Sequence, residues 1–129
     1  MTATSQSVIE DLVSKVRELA VARPETIYQP SPTGQATPTI RCSYLAGTCS
    51  DGTVGCLLGQ ALVAVGYTAE QLRAVDLLGI EEAIEKLLPC ELTDEEYRRV
   101  RWLESVQNAQ DNGHPWGEAI RIADEEEPL

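Results

Sequence analysis

The sequence has no phenylalanine, two tryptophans and four tyrosines, so aromatic residues make up only 5% of its 129 positions. A core of this composition must come from Leu, Val, Ile and Ala, which pack most readily between helices. A mainly α fold is expected. Histidine is nearly as scarce: His114 is the one imidazole, so a cysteine nucleophile has a single candidate base. No run of 18 apolar residues occurs, and no basic segment leads into an apolar one near the start. Neither a membrane-spanning helix nor a secretory signal is therefore expected, and a cytoplasmic protein with free thiols is.

Basic residues are the other shortage. Ten Lys and Arg stand against 21 Asp and Glu, for a formal net charge of −11. The imbalance is concentrated late in the chain. Residues 1–64 carry five acids and four bases, whereas residues 65–129 carry sixteen acids and six bases. Nucleic acids and anionic membrane surfaces are bound by clustered Lys and Arg, so neither is an expected partner.

The length fits one domain over residues 1–129, large enough to bury roughly two thirds of the surface that the unfolded chain exposes. Val8, Ile9, Leu12, Val13, Val16, Leu19 and Ala20 recur at helical spacing, Ser7 with Glu10 reads as a capping box, and Pro24 ends the helix. Residues 24–55 are rich in Pro, Gly, Thr and Ser. Two β-favourable runs there, ETIYQ and PTIRCSYLA, predict a hairpin around a flexible loop at 30–38, with Ile40, Cys42 and Tyr44 on one face. A helix closed by Gly66 follows. Thr68 with Gln71 caps a helix running to Gly79, IEEAIEKLL supplies a short one before Pro89, and Thr93 with Glu96 caps a long one ending near Asn112-Gly113. A last helix begins at Pro115, its inner face made by Trp116, Ala119, Ile120 and Ala123, and gives way to an acidic tail at 124–129. The fold expected is thus mainly α, five to six helices with a small two-stranded β-hairpin, a single α+β domain.

Four arrangements carry possible chemistry. In GCLLGQAL, residues 55–62, a helix capped by Asp51 or Thr53 places Cys56 in the first turn, where free N–H groups and the helix dipole lower a thiol pKa. Paired with His114, Cys56 would make a cysteine-dependent enzyme. A cysteine followed by two leucines on an apolar face is most often a core residue, and that is the reading expected here. Cys42, Cys49, Cys56 and Cys90 are candidate zinc ligands, but their gaps of six, six and thirty-three residues do not match the close pairs of structural zinc sites. The segment GQALVAVGYTAEQLRAV has helix-turn-helix spacing, yet its second helix offers one base, Arg73, beside Glu70 and Asp76, and a packed pair of helices accounts for it. Gln107 and Gln110 share a helical face; they either bind a polar ligand or satisfy backbone groups near Asn112 and Gly113.

The order Cys42-x-Tyr44, GCLLGQAL with Gly66, VQNAQDNG at 106–113, and Trp116-Gly117 with Ala119 resembles small cytosolic proteins of actinobacteria and their bacteriophages. The likeness runs from about Tyr28 to Ala123. That group has no established activity, so the resemblance implies no catalytic residue and no cofactor. It implies an accessory protein that acts by binding another protein. The expectation is a protein–protein interaction module without catalysis, its partner a basic protein drawn to the acidic face of the long helix at Glu95 and Glu96 or to the 30–38 loop.

Overall fold

A computed structural model describes residues 5–29, 44–45, 47–76, 78–88 and 91–129, with side chains from Val8 onward. The elements in chain order are α1 (Ser5–Ala22), β1 (Tyr28–Gln29), β2 (Thr48–Cys49), α2 (Leu57–Ala64), α3 (Ala69–Arg73), α4 (Ile80–Leu87), α5 (Asp94–Asp111) and α6 (Trp116–Glu126). Among the described residues, six helices and a two-stranded antiparallel sheet make up the mainly α architecture expected. One contiguous apolar cluster draws on all six helices.

The apolar stripe of α1 is buried through Ile9, Leu12, Val13, Val16 and Ala20, the faces that the 3.6-residue period brings together. α5 is the central element. It packs against α1, α2, α4 and α6, which is why Trp102, Ser105, Gln107, Ala109 and Gln110 are buried along with Val100, Leu103 and Val106. Both tryptophans are fully buried. Trp102 lies under the Arg17 guanidinium, 4.6 Å from its ring centre, and its indole N–H donates to Asp124 at 2.9 Å. Arg17 holds the same carboxylate from both nitrogens, at 2.7 and 3.1 Å.

Helix ends follow local rules. Thr68 with Gln71 and Thr93 with Glu96 form reciprocal capping boxes. α2 ends with Gly66 at φ 116°, Gly66 N–H donating to Val63 C=O and Tyr67 N–H to Leu62 C=O, the paired bonds of a Schellman motif. α5 ends the same way at Gly113.

Four expectations are corrected. The hairpin pairs Tyr28 with Cys49 and Gln29 with Thr48, so its second strand lies beyond the PTIRCSYLA run; the 30–38 loop and residues 39–43 fall outside the described residues. The helix begun at Thr68 stops at Arg73 rather than Gly79. Tyr44 takes its place as organiser of the next residues: its N–H donates to Asp76 at 2.8 Å and its hydroxyl to Leu78 C=O at 2.6 Å. The tail is helical through Glu126, because Asp124 is held by Arg17 and Trp102 and Glu126 accepts from Ser105. α1 begins at Ser5, ahead of the position expected of a Ser7 cap, and the side chain of Ser7 falls outside the described ones.

Candidate interaction surface

The segment around GCLLGQAL is built on two glycines that answer to backbone geometry. Gly55 has φ 91°, and a Cβ there would stand 2.7 Å from Tyr44 C=O. Gly59 needs the absence of a side chain for a different reason: a Cβ would overlap the Tyr44 carbonyl and come within 2.6 Å of its Cα. The Tyr44 backbone thus lies directly across the start of α2. Cys56 is the N-cap of that helix itself, not a residue of its first turn as expected. Its sulfur accepts from Gly59 N–H at 3.4 Å, and the residue is 0% exposed. The first helical N–H, that of Leu57, is capped from across the core by Gln110 Oε1 at 2.6 Å.

Beneath the turn lies a polar cluster. Gln60 Nε2 donates to Thr53 Oγ1 at 2.9 Å and to Gly55 C=O at 3.1 Å, and its Oε1 accepts from Arg23 at 2.6 Å. Arg23 also reaches Asp51 at 2.6 Å while stacking 4.7 Å over Trp116. Burial alone would raise the Asp51 carboxyl, but the Thr53 hydroxyl and amide together with Arg23 outweigh it and hold the group at about 2. The cluster fixes the 49–56 turn against α1 and α6.

On the outer side of this turn, Tyr44, Leu45, Thr53, Val54, Gly59, Gln60 and Val63 line an open groove of about 460 Å³. Val54 is 62% exposed and Val63 51%, two of the four large apolar side chains that stand largely in solvent among the described residues. A second surface feature is acidic. Arg101, Glu104, Ser105, Asn108, Glu126 and Glu127 line a depression of about 230 Å³ along α5 and α6. Burial raises the Glu104 carboxyl above its ordinary value, and the neighbouring Glu81 and Glu127 push it further in the same direction.

The residues singled out from sequence are distributed differently. Cys56 is sealed in the core, and no hydrogen bond joins it to His114 among the described residues. His114 sits half-buried in the turn between α5 and α6, its N–H donating to Ala109 C=O. Cys49 is buried beside Gly55, donating to its carbonyl at 3.3 Å, and burial pushes its thiol up, away from thiolate reactivity. Cys49 and Cys56 are both free thiols, while Cys42 and Cys90 lie outside the described residues. Among the described residues no group of three or more His, Cys, Asp or Glu side chains converges as metal ligands do.

Glu95 is exposed and pairs with Arg99 at 3.3 Å. Glu96 is corrected: it is 2% exposed, its carboxylate turned back onto Thr93 N–H at 2.7 Å, so it is a helix cap and not part of an acidic face. Gln107 and Gln110 are buried, but among the described residues neither side chain bonds Asn112 or Gly113. Gln107 Oε1 caps α4 at Ile80 N–H, 2.8 Å away, as Gln110 caps α2. Sequence reasoning missed the groove because its two valines come from different elements, and it missed the Arg23–Asp51–Gln60 cluster because those residues are 28 and 37 positions apart. Asp51 two residues before Thr53 was the available signal, since that spacing makes the local Asx turn seen here. Comparison with known proteins finds no family model that matches the chain, no similar curated protein and no similar solved structure.

Proposed function

We propose that this chain is a non-catalytic interaction module that docks a basic protein, an accessory role of the kind its resemblance implies. The carrying observation is the groove that the exposed Val54 and Val63 both line, beside the close approach of Tyr44 to Gly59. Single exposed apolar residues are ordinary on protein surfaces, but two that line one groove, Val54 from the turn and Val63 from α2, are what a binding patch presents. The charge of −11 supports a basic partner by steering it toward the chain and disfavouring acidic competitors. The polar side chains that would serve chemistry are engaged in structure: Cys56, Glu96, Gln107 and Gln110 each cap a helix.

The test is photocrosslinking in the source cells from a benzophenone side chain placed at residue 63, with residue 21 as the control. Val21 is 78% exposed and does not line the groove. A discrete basic protein captured at 63 and lost on Val54→Asp is the expected result, with capture falling as salt rises. Equal capture of the same proteins from both positions would overturn the reading.

A further inference from the structure

The backbone at Val54 carries an unfilled place in the sheet. Thr53 C=O accepts from Cys49 N–H at 2.8 Å and Gly55 N–H donates to Gly47 C=O at 3.1 Å, so Val54 bridges Thr48 in antiparallel register. β2 is therefore flanked by β1 on one side and by Val54 on the other. In such a register the groups of residues 53 and 55 point at β2 and those of residue 54 point away. Val54 N–H and C=O find no hydrogen-bond partner among the described residues. The same residue borders the apolar groove with Tyr44, Leu45 and Val63.

We propose that the partner docks by strand addition, an extended segment pairing its backbone with Val54 N–H and C=O and seating a β-branched side chain in the groove, its flanking basic residues drawn by the net charge of −11. The mode rests on the docking function proposed above and names its geometry. Main-chain pairing supplies affinity in such complexes, and the pocket beside the edge supplies selectivity. A short edge of one residue in a bridge admits one segment without offering a template for aggregation.

The probe is a displayed library of random dodecapeptides selected on the full chain, with the binders resynthesised carrying single backbone N-methyl groups. The expected sequences hold Val or Ile between Lys or Arg residues. Methylation of one central amide should weaken binding about tenfold or more, while methylation of the adjacent amide leaves it nearly unchanged, because successive N–H groups of a strand point to opposite sides. Val63→Asp should weaken the same peptides. If every N-methyl variant binds as before while Val63→Asp still weakens them, strand addition falls and the groove stands as a docking site. A selection that yields no peptide sensitive to Val63→Asp overturns strand addition, and the crosslinking experiment judges the docking site separately.

Discussion

Replacing Gln110 by Leu removes one acceptor from the inside of the protein and leaves a group of similar length in its place. In the native chain Gln110 is fully buried, and its Oε1 takes the first N–H of α2 at 2.6 Å while its Nε2 donates to Asp111 at 3.2 Å. With Leu at this position, Leu57 N–H stays in a site closed to water and loses its acceptor. An orphaned buried donor costs about 1–3 kcal/mol. The hydrocarbon gained in the core offsets part of that, so a net loss of about 1–2 kcal/mol is expected, or about 4–8 °C in Tm for a domain of this size. The assay is urea denaturation together with hydrogen exchange read residue by residue. Exchange at Leu57 should quicken more than exchange in the middle of α5, since the lost bond lies at the start of α2. Gln107→Leu should act likewise on Ile80 and α4. A variant with unchanged stability and unchanged exchange at Leu57 would refute the assignment of these glutamines as long-range caps.

Gly59→Ala should destabilise by about 3 kcal/mol or more, at or beyond the upper end of overpacking costs, because the obstacle is the Tyr44 backbone and not a movable side chain; thermal unfolding reads it. Asp51 gives a pH dependence of defined sign. Its carboxyl is lowered from 3.8 to about 2 on folding, so its contribution is complete above pH 4 and is lost as pH falls toward 2; the stability gap between the native chain and Asp51→Asn should close across that window. Glu104 has the opposite sign. Its raised carboxyl makes ionisation unfavourable in the folded state, so Glu104→Gln should stabilise the protein at neutral pH and by less as the pH drops through the native group's titration, read by urea denaturation. In a chain with Cys42 and Cys90 replaced by Ser, Cys49 and Cys56 should resist a thiol reagent until denaturant unfolds the protein; rapid labelling of either under native conditions would contradict their burial.

Features set by near neighbours were legible in the sequence. The α1 stripe, the two capping boxes and the glycine at the end of α2 each depend on residues within one or two turns of each other, and each stands where it was expected. Features set by distant partners were not. Strands of two residues carry no alternation to read, so the pairing of Tyr28 with Cys49 left no mark in the pattern. Trp102 owes its enclosure to Arg17 and Asp124, which come from other helices. Gln107 and Gln110 were visible as a pair, but what they bind lies 27 and 53 positions away. Cys56 illustrates the same limit within a single motif. Its burial was readable from the leucines beside it, whereas its work as the cap of α2 depends on the bend at Gly55.

The reach of α5 also sets an order of events during synthesis. α2 and α4 emerge from the ribosome long before the residues that complete their first turns, and each is only eight residues long, too short to persist alone in water. A nascent chain halted before Gln107 therefore holds these segments as unfinished helices with their leucines and isoleucines uncovered. α5 thus acts as the template on which α2 and α4 consolidate, and protease resistance of these helices is expected only once Gln107 and Gln110 have been made.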